Sequence, residues 1–172
     1  MIKKKILSEI AVYTGEVKMP NDFEIDNIEL VKNIFISNYC KDMNHPFSRE
    51  WDKLKTFITD FIRLKYHKSL VPNTTFGKHY ERNERSRPLL HLNPVDLMHS
   101  PDYILLYGID IDPKTCEIII HFDDNRRKGK VYNFNLETNK FIMFPSSQLY
   151  YINNSKNSFS NYVQTICFDY VT

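Results

Sequence analysis

A chain of 172 residues with 42% apolar and 14% aromatic side chains can bury a core, which excludes a disordered chain and fits one domain over residues 1–172. Its formal charge is +2, from 23 Lys and Arg against 21 Asp and Glu, so it lacks the large cationic surplus of a protein held on nucleic acid by many phosphate contacts. No apolar run approaches the roughly 20 residues that span a bilayer, and Ser8 and Glu9 break the apolar part of the basic start MIKKKILSEI, so neither a membrane anchor nor a signal peptide is expected.

The first half of the chain, residues 1–76, reads as mainly helical. Asn27 to Cys40 sets Ile28, Val31, Ile34 and Phe35 on one stripe at helical spacing. Ser48 can cap a second, stronger helix in which Trp51, Leu54, Phe57, Ile58, Phe61 and Leu64 recur at steps of three and four. Pro72 and Gly77 interrupt the pattern, and GKHYERNERSRP (Gly77 to Pro88) mixes both charge signs without period, as a solvated loop does. From residue 88 onward the period becomes two. Strands are expected over Asp102 to Asp112, Cys116 to Phe122, Gly129 to Leu136, the KFIMF run and Tyr162 to Val171, with turn residues between them. Helices first and short strands afterward make an α+β protein, in which N-terminal helices pack on a C-terminal β-sandwich or barrel over residues 88–172.

Several groups could carry chemistry. His121 and Asp123 alternate onto one face of a strand and would supply two ligands of a facial iron triad, but no histidine follows His121 to supply the third. His91 and His99, with Asp96 and Asp102 nearby, could converge if the chain folds back between them. Arg126 and Arg127, beside Lys128 and Lys130, form a basic turn able to hold a carboxylate or phosphate. There is no nucleophile elbow and no glycine-rich phosphate loop. Cys40, Cys116 and Cys167 lack zinc or redox spacing and read as reduced, buried thiols of a cytoplasmic protein. The single alanine, Ala11, among abundant Asn, Ile, Lys and Tyr points to an AT-rich genome such as that of a phage.

The ordered set HSPDYILLYGIDID, EIIIHFDDNRR, KFIMFPSSQLYYINN and VQTICFDYV resembles the phage and bacterial branch of the 2-oxoglutarate/Fe(II)-dependent oxygenases. The resemblance implies a double-stranded β-helix, also called a jelly roll or cupin barrel, over roughly Leu89 to Val171. It places the first iron ligand of the family on His99, nine residues before Gly108, and the partner carboxylate on Pro101 with Asp102 one residue beyond. The distal histidine slot falls on Tyr150, with Tyr151 beside it, and the arginine that holds the cosubstrate falls among Asn161, Tyr162 and Val163. A phenol is a poor iron ligand beside an imidazole, and a buried carboxylate without its arginine loses a bidentate partner.

The first expectation is therefore a degenerate oxygenase barrel that binds neither iron nor 2-oxoglutarate and serves a protein partner, a virion or host component, in a host cytoplasm or virion. The second is an active Fe(II)/2-oxoglutarate hydroxylase with a non-standard site built from His91, His99 and Asp102 or Asp96. The third is a nucleic-acid-binding module using Lys78, Arg82, Arg85, Arg87, Arg126 and Arg127 with nearby aromatics.

Overall fold

In a computed structural model of the chain, residues 10–18, 25–40, 48–123 and 129–171 are described, the side chain of Asp123 excepted. Two helices lie against an antiparallel sheet of five strands, which in turn faces a sheet of three. The elements run β1 (Tyr13–Glu16), α1 (Asn27–Tyr39), α2 (Arg49–Tyr66), β2 (Leu70–Glu81), a 3-10 turn (Leu97–His99), β3 (Tyr103–Asp110), β4 (Cys116–Asp123), β5 (Gly129–Leu136), β6 (Lys140–Pro145), β7 (Leu149–Asn154) and β8 (Ser160–Tyr170). The major sheet has the order β1-β6-β3-β8-β2 and the minor sheet β5-β4-β7. The chain is an α+β protein in which helices cover one face of a double-stranded β-helix.

Local chemistry starts both helices. The Asp26 carboxylate accepts the N–H groups of Ile28 and Glu29, and the Ser48 hydroxyl accepts that of Trp51. Leu54, Ile58 and Ile62, spaced by four, lie on one face of α2 and are fully buried. They join Leu30 and Ile34 of α1 against Leu105, Tyr107, Ile109, Phe141, Met143, Ile166 and Phe168 of the major sheet. The alternate residues of the same strands point the other way. Ile104, Leu106, Ile142, Phe144, Val163 and Cys167 meet Ile118, Ile120, Tyr150 and Ile152 between the sheets. Strand β3 is therefore buried on both faces from Tyr103 to Ile109, which is why it reads as a continuous apolar run.

The structure departs from the sequence reading at several places. Gly77–Glu81 is strand, not solvated loop: β2 pairs with β8 from Leu70↔Tyr170 to Glu81↔Ser160, with an irregularity only between Pro72 and Thr75, where proline has no N–H to give the ladder. Strand β1 and the start of β2 also fall inside the stretch read as helical. Ile28, Phe35 and Leu64, assigned to the buried stripes, are exposed, and the α2 stripe runs through Ile62 instead. Cys40 is exposed, whereas Cys116 and Cys167 are buried as expected.

Candidate functional site

After β2 the chain turns at Asn83, which adopts a left-handed φ of 59°, and runs back as a strap along the free edge of the minor sheet. The strap completes the ladder that β7 lacks on that side. Ser86 N–H donates to Ile152 O at 2.8 Å, and Ile152 N–H donates to Ser86 Oγ at 2.9 Å. Leu89 and Tyr150 exchange both backbone bonds, at 2.9 and 3.1 Å. This pinning delivers His91 to the mouth of the barrel. Its Nε2 shares a hydrogen bond with the Tyr150 hydroxyl at 2.9 Å. The imidazole stacks on Tyr150 (5.8 Å between centroids, 17° between planes) and on Phe76 of β2 (5.9 Å, 28°). Behind it, the edge of Phe144 packs on Tyr150 at 5.0 Å.

Beside this pair opens a cleft of about 400 Å³, walled by Phe76, Lys78 and Tyr80 of β2 and by Arg85 and Arg87 of the strap, with His91 and Tyr150 at its base. Burial lowers the pKa of His91 and raises that of Tyr150, so a neutral imidazole meets a neutral phenol. Lys78 Nζ pairs with Glu84 at 2.9 Å and lies 4.5 Å above the Tyr80 ring. The second oxygen of Glu84 accepts the Glu81 N–H at 2.8 Å. Arg85 stacks its guanidinium 4.7 Å over Tyr151 on the outer face of the minor sheet.

The other residues singled out in the sequence lie elsewhere. His99 is largely exposed and engages Asp96 at 2.8 Å, so His91 and His99 have different partners. Asp102 accepts the Tyr170 N–H at 2.7 Å and fastens the end of β8. Asn161 is fully buried: it accepts the Asp112 N–H at 2.8 Å and donates to Thr115 Oγ1 at 2.9 Å and to Asn154 Oδ1. Tyr162 turns to the helical side and stacks on His79 at 4.7 Å, and Val163 fills the space between the sheets. Tyr151 contacts exposed His121 at 5.0 Å. Arg82 donates to Lys156 O at 2.5 Å. Arg126, Arg127 and the Asp123 side chain lie outside the described residues. Among the described residues no group of three or more His, Cys, Asp or Glu side chains could hold a metal ion.

Sequence reasoning set Tyr150 opposite His99; the fold sets it opposite His91. The sequence carried it only as His91-Leu92-Asn93, a histidine two residues before an amide. Asn93 spends that amide oxygen on the Val95 N–H at 3.0 Å. Lys78, read only as one of several scattered cations, stands at the centre of the cleft wall because β2 is a strand.

No family model matches the chain, and no curated protein matches it. Solved structures do. A prolyl-4-hydroxylase from Pseudomonas putida superposes with a TM-score of 0.65 at 10% identity, over 93% of this chain and 88% of that one. A viral collagen prolyl hydroxylase from Paramecium Bursaria Chlorella virus-1 gives 0.61 at 11% identity, over 93% and 90%. HygX from Streptomyces hygroscopicus, with nickel and 2-oxoglutarate bound, gives 0.59 at 7% identity, over 94% and 83%. Across nearly its whole length, this chain has the double-stranded β-helix fold of the 2OG-Fe(II) oxygenases.

Proposed function

We propose that the chain is a binding module built on an oxygenase barrel, without iron-dependent catalysis. The observation that carries this reading is the His91–Tyr150 contact. The half-buried His91 imidazole, whose Nε2 would address a metal, spends that nitrogen on a phenol hydroxyl 2.9 Å away. A facial triad needs two imidazoles and a carboxylate around one point. Here the converging donors are one imidazole and one neutral phenol, and two residues beyond His91 stands an amide turned to its own backbone. These donors do not fit an iron ion. The arginine slot for a cosubstrate carboxylate falls among Asn161, Tyr162 and Val163: Asn161 is committed to Asp112, Thr115 and Asn154, Tyr162 stacks on His79, and Val163 is apolar. A protein partner, a virion or host component, belongs to the same reading. Its support is the apolar loop after His91, where Val95 and Met98 are 93% and 92% exposed.

The test is anaerobic titration with Fe(II) and 2-oxoglutarate. A metal-free module shows no saturable visible charge-transfer band and no turnover of 2-oxoglutarate. A saturable band that disappears in the His91→Ala variant, with the fold retained by circular dichroism, would refute the reading and favour a hydroxylase.

A further inference from the structure

The edges of the two sheets are not alike. Strand β1 is four residues long, and its Thr14 C=O accepts the Tyr66 hydroxyl at 2.7 Å. The outer edge of β2 is closed by side chains. The Asn38 amide donates to Gly77 O at 3.0 Å and accepts the His79 N–H at 3.3 Å, as a neighbouring strand would, and Glu84 accepts the Glu81 N–H. The strap covers β7. Among the described residues, β5 has no such guard. Tyr150 and Ile152 give their backbone groups to the strap, so Tyr151, between them, turns its own to β4, opposite Ile119. Ile119 therefore faces β7, while Ile118 and Ile120 face β5, opposite Phe134 and Tyr132. That leaves the N–H and C=O groups of Val131, Asn133 and Asn135 pointing off the sheet. From Val131 to Leu136 the strand has neither the charge nor the proline that turns another strand away. Val131, Tyr132, Asn133 and Asn135 are exposed, and a groove of about 480 Å³ opens beside them, between residues 133–135 and the β1–β6 pair.

We propose that β5 is a dimer interface, on which a second copy of this chain lays its own β5 antiparallel about a two-fold axis at Asn133. The occupant follows from the edge itself, which is self-complementary. With Asn133 opposite the partner's Asn133, Val131 meets the partner's Asn135, and each such pair exchanges both N–H···O bonds. An amide both donates and accepts, so the two Asn133 side chains can bond across the axis. On the other face Tyr132 lies against the partner's Phe134, an aromatic cross-strand pair. The two minor sheets become one. This edge is on the far side of the minor sheet from Tyr150 and His91, so the interface goes beyond the metal-free reading and does not depend on it.

The experiment is sedimentation velocity of the full chain from about 1 µM to about 1 mM, with amide exchange of β5 followed by NMR at both ends of the series. A reversible shift from the 20.6 kDa monomer to twice that mass is expected, with the Val131, Asn133 and Asn135 amides slowed only in the dimer. Asn133→Pro, whose lost N–H lies outside the β4–β5 ladder, should keep the circular dichroism of the monomer and weaken the dimer about a hundredfold, roughly tenfold for each bond lost at the axis. Val131→Lys with Asn135→Lys sets like charges opposite each other and should weaken the dimer. Val131→Lys with Asn135→Glu sets opposite charges there and should restore it. A chain still monomeric at about 1 mM overturns the proposal, as does a dimer indifferent to Asn133→Pro. Protection of the three amides that is independent of concentration would mean that the chain covers its own edge, and overturns it as well. Growth past the dimer, or no rescue by the opposite-charge pair, overturns the two-fold register.

Discussion

At the scale of single residues, the His91–Tyr150 pair sets what the barrel mouth can do. A histidine at position 150 would offer a second imidazole to the space in front of His91. Tyr150 instead offers a ring that is 99% buried and a hydroxyl that satisfies the imidazole it faces. The pair has a consequence for acid stability. Burial holds His91 below its ordinary value of 6.5, so the unfolded chain takes up this proton more readily than the folded one. The folded state therefore keeps the full benefit of a neutral His91 above about pH 6.5 and loses stability as pH falls from there toward the depressed folded value. The carboxylate facing the cleft does not share that window. Glu84, which burial alone would raise, is held below the usual carboxylate value by Lys78 and the Glu81 N–H, so its contribution disappears only below about pH 4.5. Urea unfolding at intervals between pH 7.5 and 5 should show a falling midpoint. His91→Gln should flatten that slope, whatever it does to the midpoint at pH 7.5. An equal slope in the variant would remove His91 as its source.

At the scale of elements, the decisive contacts are where one strand or turn sits directly on another. The β5–β6 turn settles on the end of β3, where Asn139 N–H donates to Gly108 O at 2.8 Å. A Cβ on Gly108 would lie 2.3 Å from Glu137 O and 2.9 Å from Ile111 Cγ1, so alanine there must push backbone away. Gly108→Ala is expected to cost about 2–3 kcal/mol, the range of an overpacked core. Gly129→Ala, with nothing within 4 Å of its added Cβ, should cost nothing measurable. Equilibrium urea unfolding of the two variants decides it, and equal midpoints would show that the turn does not rest on β3. The same scale explains what could be read from the chain. Strands β3 to β6 and β8 are legible because their inward residues are consistently apolar, as in Ile118 and Ile120 or Phe144 and Ile142. Strand β2 is not. Its cleft-facing residues include Lys78, and its helix-facing Gly77 has no side chain because Ile34 occupies that space. An alternation with a cation on one face and a glycine on the other has the signature of a loop. The His91–Tyr150 pairing was hidden for a different reason: it joins residues 59 apart through the strap, whose course depends on which sheet edge is left open.

At the scale of the whole molecule, two hydrophobic layers share the major sheet, and the chain has three thiols with which to tell them apart from the surface. Cys116 lies at the start of β4 with no exposure, its pKa pushed up to about 12 by burial, and Cys167 of β8 is 5% exposed and pushed up to about 11. Both belong to the layer between the sheets. Cys40, just past α1, is exposed. Thiolate is the reactive form, so a buried thiol of raised pKa reacts only when the structure around it opens. Alkylation of the native protein with iodoacetamide at pH 8, followed by peptide mass spectrometry, should modify Cys40 first. Cys116 and Cys167 should trail by at least roughly a hundredfold and catch up with it in urea. Their lag should also be common to both, because β4 and β8 face each other across one layer and neither thiol can be freed without separating the sheets. A native-state rate for Cys167 close to that of Cys40, with Cys116 still protected, would mean that β8 detaches by itself. The strap, the cleft and the β2 edge that β8 supports could then not be the rigid site described for this barrel.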